Sequence, residues 1–286
     1  MTAPRGDGRW LVVGHRGMLG ADLMDALRGR DVAGLSRPQL DLLDVASVTD
    51  AVRGADVVVN CAAWTAVDDA EDHEEEAFAV NALGPAHLAR AARDAGAWLV
   101  QVSTDYVFAG DSDTPYAEDA PTDPRTAYGR TKAAGEEAVH AELADRSYVV
   151  RTAWLYGRHG RHFVSTIAGL ARERDHLDVV DDQVGQPTWT ADVAARIVDM
   201  VDAGVPAGRY HATSSGETTW FGLAREVVRR MGLDPAMVRP TTSAAMARRA
   251  PRPAYSVLGH DAWARVGMPA LRHWEDALGA SWPPFG

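Results

Sequence analysis

Lysine is almost absent from this sequence: of its 29 Lys and Arg residues 28 are arginine, and Lys132 stands alone. Cysteine is equally scarce, with Cys61 the one example. That excludes a disulfide within the chain and a thiolate metal cluster. No apolar run approaches the ~20 residues needed to span a bilayer, so no membrane partner is expected. The segment Met1 to Arg9 is short and polar and leads into no apolar signal core, which makes the cytoplasm the expected location. Basic residues are outnumbered by 40 Asp and Glu, giving a net charge of −11. Such a balance argues against a nucleic-acid partner, whose phosphates need a basic surface. A small anionic ligand needs only a local electropositive pocket and stays open.

What is present fits a globular α/β protein. At 286 residues, 46% of them hydrophobic, the chain can bury one large core or two unequal lobes. Short β-branched runs alternate with amphipathic stretches in the first half. Trp10–Val13, Val32–Leu35, Val57–Val59, Trp98–Val102 and Tyr148–Val150 read as strands. Helices are expected over Leu19–Leu27, Ala77–Ala95 and Ala127–Leu143. This is the winding of a Rossmann-type parallel sheet, placed at residues 1–157. Residues 158–286 read mainly as a smaller substrate-binding lobe, with segments returning to the first domain. Its helices are expected at Phe163–Arg174, Ala191–Val201 and Phe221–Met231, and its short strands around Leu177–Val180 and Arg209–His211. The acidic run Glu71 to Glu76 could be read as a metal cluster. It fits better as the dipole-matched first turns of a helix.

The first strand runs straight into Gly14-His15-Arg16-Gly17-Met18-Leu19-Gly20 and then a helix. Glycines in that context let a pyrophosphate approach the backbone at a helix N-terminus. Dinucleotide binding is therefore expected. An NAD site usually ends its second strand on an acidic residue that holds the ribose 2′-hydroxyl. Here the strand ends Leu35-Ser36-Arg37. Arg37 suits a 2′-phosphate, with Arg16 as a second charge, although a solvated loop arginine is the bland alternative. Asp41, a few residues on, leaves room for NADH beside NADPH.

Tyr128 and the one lysine, Lys132, lie four residues apart and so share a helix face. With 7 tyrosines and one lysine, chance gives that spacing roughly one time in forty. The pattern suits a tyrosine proton donor with an ammonium beside it. On this reading the lysine and a cofactor's charge draw the tyrosine pKa towards 7, from ~10. Arginine, a wide planar fork, would not replace the compact ammonium. A carbonyl-polarising hydroxyl is expected at the end of the fourth strand, where Ser103 and Thr104 compete.

These residues resemble the extended short-chain dehydrogenases/reductases that act on nucleotide sugars, and within them the dTDP-4-dehydrorhamnose reductase group. The resemblance runs over nearly the whole chain, through Gly14 to Gly20, Asn60 to Asp68, Val80-Asn81, Ser103 to Phe108 and Tyr128 to Lys132. It continues through Arg151 to Gly157, Asp182 to Thr188 and Arg252 to Ser256. It implies a Rossmann domain with a small C-terminal substrate domain. It also implies NADPH-dependent reduction of the 4-keto group of dTDP-4-dehydro-6-deoxy-L-mannose. Gly17, Met18 and Leu19 would then hold the pyrophosphate, within a turn closed by Gly14 and Gly20. Asp41 and Leu42 would lie near the adenine, and Ala63, Trp64 and Thr65 near the ribose and nicotinamide. Val102 joins Tyr128 and Lys132 on the cofactor side. Thr104, Asp105 and Trp154 would contact the sugar, with Thr104, Tyr128 and Lys132 as the catalytic triad. Arg252 would offer the diphosphate a positive partner. A homodimer and a divalent metal such as Mg2+ at its interface belong to the same implication, with no ligands assignable here.

The chain departs from the family pattern at Trp64 and Tyr255, both in ligand-contact segments. Another dTDP-4-keto-6-deoxysugar reductase of natural-product glycosylation is therefore a rival. From a different class, a non-catalytic regulatory subunit of the same fold is a second. Related 4,6-dehydratases follow their threonine with Asp-Glu, whereas Thr104-Asp105-Tyr106 lacks the basic carboxylate. Trp64 and Trp154 could equally be core aromatics and Arg252 a loop arginine. Cys61 reads as core, and His211 as structural.

Overall fold

The computed structural model describes residues 6–282, so Met1 to Arg5 of the polar N-terminal segment lie outside the described residues. β1 (Trp10–Val13), α1 (Met18–Ala26), β2 (Val32–Leu35), α2 (Val45–Val52) and β3 (Val57–Asn60) open the chain. Next come α3 (Val67–Ala70), α4 (Glu74–Phe78), α5 (Gly84–Ala95), β4 (Trp98–Thr104), α6 (Ala127–Leu143) and β5 (Ser147–Thr152). β1 to β5 pair in parallel within one sheet of six strands. Alternation along a strand sends successive side chains to opposite faces. Trp10 and Val12 accordingly pack with Leu19, Leu23 and Ile197 on one face, while Leu11 and Val13 pack with Val48, Leu88 and Leu143 on the other. All four are buried, as a sheet covered by helices on both sides requires.

The sixth strand comes from the second half of the chain. Beyond β6 (Leu155–Tyr156), α7 (Phe163–Glu173), β7 (Leu177–Val180), β8 (Val184–Gly185) and β9 (Thr188–Trp189) lie α8 (Thr190–Asp202) and β10 (Gly208–His211). The sequence pattern puts α8 and β10 with the smaller lobe. In the structure β10 pairs parallel with β5 at the sheet edge, and α8 packs beside α1 against the sheet. A four-residue strand carries no period that says which sheet it joins. A separate core gathers Tyr156, Ile167, Leu177, Leu223, Val227 and Trp274 around α7 and α9 (Trp220–Arg230). This second core sits beyond the carboxyl ends of β4 and β5.

Two local departures matter for the site. The helix expected over Ala77–Ala95 is broken by a π-helical turn, Ala79–Leu83, between α4 and α5. Wider turns of this kind mark places where a side chain is needed in an unusual position. Here it is Asn81, whose carboxamide accepts from Trp64 N at 2.8 Å and donates to Trp64 O and Thr131 Oγ1, both at 3.1 Å. The helix α2 has no counterpart in the sequence reading. Its signal is the N-cap Asp44, which accepts from Ala46 N and Ser47 N. The acidic run does start a helix: Glu74, Glu75 and Glu76 form the first turn of α4. Glu74 holds Arg130 at 2.6 and 2.8 Å, and Glu71 accepts from Ala127 N at 2.8 Å.

Candidate active site

Where β1 ends, Gly14 turns the chain with φ +80°, and a Cβ there would stand 2.7 Å from Ala62 N. A Cβ on Gly20 would stand 2.3 Å from Gly14 O. These two glycines are fixed by the turn itself. Gly17 differs: its nearest neighbour would be Gly14 O at 3.3 Å, and it borders a cavity of about 1020 Å³ together with Met18 and Leu19. Its missing side chain leaves space on the cavity side, at the N-terminus of α1. Along the rim, the Arg16 amide donates to Ser36 Oγ at 3.3 Å, and Ser36 Oγ lies 3.1 Å from His15 Nδ1. The glycine turn and the end of β2 are thus tied together, with the side chains of Arg16 and Arg37 exposed. Asp41 is exposed and accepts from Leu43 N at 3.0 Å, while Leu42 is buried against Gly84. Neither Arg37, Asp41 nor Leu42 borders the cavity.

The end of β4 and the first turns of α6 form the cavity floor. Thr126 caps α6 by accepting from Gly129 N at 3.0 Å, which sets Tyr128 and Lys132 on the face towards β4. Val102, Ser103, Thr104, Asp105, Tyr128 and Lys132 all border the cavity. Of the two competing hydroxyls, Thr104 is hydrogen-bonded to Tyr128, whereas Ser103 Oγ is buried with no partner among the described residues. Lys132 Nζ donates to Val102 O at 2.7 Å. Burial lowers its pKa to about 8, against the raising influence of Glu136. Burial pushes Tyr128 the other way, up to about 12, and the Thr104 hydroxyl offsets only part of this. The sequence reading asks the lysine to draw the tyrosine towards neutrality. The Lys132 ammonium is committed to the backbone carbonyl of Val102, and the influences that shift Tyr128 are burial and Asp105, which raise it, and the Thr104 hydroxyl, which lowers it.

Asp105 is buried beside the threonine, whose Oγ1 donates to Asp105 Oδ1 at 2.9 Å. Burial raises its pKa to about 6, although the Ser256 and Thr104 hydroxyls oppose this. A carboxyl whose folded-state pKa lies above its unfolded value favours folding when protonated. That contribution is lost as pH rises through about 6. Asp105→Asn is therefore expected to stabilise the protein by about 3 kcal/mol at pH 8 and by less towards pH 5. Thermal melting at the two pH values reads this, and a variant less stable at pH 8 than at pH 5, relative to wild type, would contradict it.

Opposite the floor, Trp154 adopts φ +47°, a left-handed conformation that costs a non-glycine residue ~1–3 kcal/mol. Its ring stacks on Trp220 with centroids 3.5 Å apart and planes 7° from parallel. Gly185 backs it so closely that a Cβ would lie 2.5 Å from the indole. Trp154 is thus both a lobe-core and a cavity residue. Trp64 is not: Asn81 holds its backbone, and its ring packs with Ala70, Ala77, Ala127 and Tyr128 while its neighbours Ala63 and Thr65 reach the cavity. Cys61, read as core, also borders the cavity, and burial pushes its thiol up to about 12. His211 is wholly buried and held neutral by burial and by Arg151, with a pKa of about 3. Arg252 borders the cavity, and so do Gln183, from the Asp182 to Thr188 motif, and Phe163, Trp220 and Arg248, which no sequence motif singles out. Asp22, Asp25 and His159 bring ligand-type atoms within 4.8 Å of one another. Thr190 donates to Asp22, and none of the three borders the cavity.

Residues 8–284 match the model of the RmlD substrate binding domain. The chain belongs to that family. A dTDP-4-dehydrorhamnose reductase of Streptomyces griseus is 55% identical over 284 residues, covering 96% of this chain and 93% of its own. A dTDP-4-keto-6-deoxy-D-glucose reductase of Streptomyces niveus is 50% identical, covering 96% of each. Among solved structures, a dTDP-4-dehydrorhamnose reductase of Bacillus anthracis in complex with NADP superposes with a TM-score of 0.92 at 33% identity, over 96% of this chain and 98% of its own. Family membership and the Rossmann-type fold expected from the sequence therefore both stand. In this RmlD-family chain, no helix among the described residues is long and apolar enough to cross a membrane.

Proposed function

We propose that this chain is an NADPH-dependent 4-ketoreductase of dTDP-4-keto-6-deoxysugars, converting dTDP-4-dehydro-6-deoxy-L-mannose to dTDP-L-rhamnose. The observation that carries the reading is one cavity bordered by the glycine turn, by Thr104, Tyr128 and Lys132, and by Trp154 and Arg252. NADPH supplies a hydride and leaves a positive charge on its ring. Tyr128 then gives its proton to the O4 alkoxide, Thr104 shares that oxygen, and Lys132 serves the cofactor ribose. Reduction requires a tyrosine that arrives protonated, and a pKa of about 12 keeps it so. Relatives at 55% and 50% identity bear the names of two different reductases, and the dTDP-4-dehydrorhamnose reductase is the more similar of these two. Tyr255, where the chain departs from the family pattern, turns its hydroxyl to Glu217 at 3.0 Å. Dehydration is disfavoured because the position after Asp105, where the dehydratases carry Glu, holds Tyr106, and burial and the Asp105 charge raise its pKa above the ordinary value, so it is a poor base.

Purified protein is expected to consume one NADPH for each keto-sugar reduced. No consumption with either 4-keto-6-deoxysugar would favour the non-catalytic subunit. No step is assigned to a divalent metal. A homodimer in the cytoplasm belongs to the same reading, and sedimentation of the purified protein tests the assembly.

Arg37 is proposed to meet the 2′-phosphate, since its guanidinium is exposed beside the turn and makes no hydrogen bond or ion pair among the described residues. Arg37→Ala should weaken NADPH by ~1–3 kcal/mol and leave NADH nearly untouched. Equal losses for both cofactors would reduce Arg37 to loop support, and a wild-type preference for NADH would remove the reading.

A further inference from the structure

After the short helical turn Ser243–Ala245, the chain crosses the cavity mouth in a loop that carries Arg248, Arg249 and Arg252. Arg248 and Arg252 both border the cavity. One carboxylate from far back in the sequence organises this loop. Asp68, in the first turn of α3, accepts from Ala250 N at 3.1 Å and from Arg252 Nη2 at 2.7 Å. Arg248 Nη1 lies 3.8 Å from the same carboxylate oxygen. Arg249 is drawn to Asp72 in the same way. Arg252 is pinned a second time, because its Nη1 donates to Ala250 O at 3.0 Å. These bonds leave its Nε and its remaining N–H groups without a protein partner among the described residues. Burial alone would raise Asp68, but its bonds to Arg252 and Ala250 outweigh it and hold the carboxyl below the usual range. Asp68 therefore stays ionised near neutral pH.

We propose that Asp68 is a positioning residue for the anionic end of the substrate. It fixes Arg252, and gathers Arg248, so that a nucleotide diphosphate meets guanidinium donors already held in place. The inference rests on the ketoreductase reading above. Two arginines against one aspartate leave a net positive charge at the cavity mouth of a chain whose net charge is −11. The acidic residues of the cavity wall, Asp105 and Asp178, lie elsewhere: Asp105 at the floor beside Thr104, Asp178 on β7. A guanidinium that need not be ordered on binding loses less rotamer freedom, which is why a preformed ion pair can assist an anion rather than compete with it.

The test uses protein saturated with NADPH and dTDP as the probe. Asp68→Asn keeps the acceptor for Ala250 N and removes the charge. It should weaken dTDP in calorimetry by roughly 10-fold and raise KM for the keto-sugar by a similar factor. kcat, NADPH affinity and melting temperature should change little, a split that a merely structural role would not give. Arg252→Lys should lose a comparable amount, and the double variant should lose no more than Arg252→Lys alone. Should Asp68→Asn fail to fold, Asp68→Glu, which moves the charge by one methylene, should show the same split. Unchanged or tighter dTDP binding in the Asp68 variant would overturn the proposal, as would parallel losses of NADPH affinity and stability. If the wild type neither binds dTDP nor oxidises NADPH with the keto-sugar, the ketoreductase reading itself has failed. If it does both and the variant matches it, only the role of Asp68 falls.

Discussion

Tyr128→Phe is expected to lower turnover by about 10²–10⁴-fold, the range for losing a positioned general acid, while NADPH binds nearly as before. The change removes one hydroxyl and keeps the ring, which meets the edge of Tyr106 at 5.5 Å and packs with Trp64 and Ala127. Ionisation of a phenol whose pKa burial raises to about 12 plays no part in folding at neutral pH, so the stability change should be confined to the lost hydrogen bond with Thr104, about 1 kcal/mol. Lys132→Met should differ by impairing both turnover and cofactor binding, since the role proposed for the ammonium is to serve the cofactor ribose. Lys132 titrates near 8 and Tyr128 near 12, so the alkaline limb of kcat/KM should follow the lysine. As pH rises through about 8 the charge is lost, and activity should fall with it. Steady-state kinetics of the two variants, with a wild-type profile from pH 6 to 10, tests this. Near-wild-type turnover in Tyr128→Phe would remove the tyrosine from the reaction.

The largest stability effect is expected at a buried ion pair on α6, one turn beyond Lys132. Glu136 and Arg151 are each 1% exposed and joined by two hydrogen bonds of 2.9 and 2.7 Å. Arg151 also donates to Glu118 O at 3.1 Å and lies 4.8 Å from the Phe108 ring centroid. The pair fastens α6 to β5, and Glu136 shares the helix face of Tyr128 and Lys132. Glu136→Leu would strand a guanidinium among a carbonyl, an aromatic ring and the neutral His211. A cost of about 3–5 kcal/mol follows, because a buried charge without its partner keeps its desolvation penalty. The double variant Glu136→Leu/Arg151→Met should regain most of that loss. Urea unfolding measures both, and a single variant within about 1 kcal/mol of wild type would show that the pair carries little.

What the sequence determined by itself is local. Tyr128 and Lys132 share a face because four residues make one helical turn, and α6 spans Ala127–Leu143 as its pattern predicts. The glycine turn is legible because its residues shape one another's backbone over seven positions, Gly14 to Gly20. The strands β1 and β3 are legible because residues buried on both faces form the apolar runs Trp10–Val13 and Val57–Val59. Tertiary structure decided whatever depends on residues far apart in the chain. No spacing links Asp68 to Arg252, 184 residues later, or Asn81 to the backbone of Trp64 across a widened helical turn. Nothing in four residues tells Gly208–His211 to complete the main sheet. Whether an apolar residue such as Trp64 or Cys61 faces a core or a cavity is likewise set by what packs against it. Local periodicity fixes which side of an element a residue occupies, and only the folded chain decides what stands on that side.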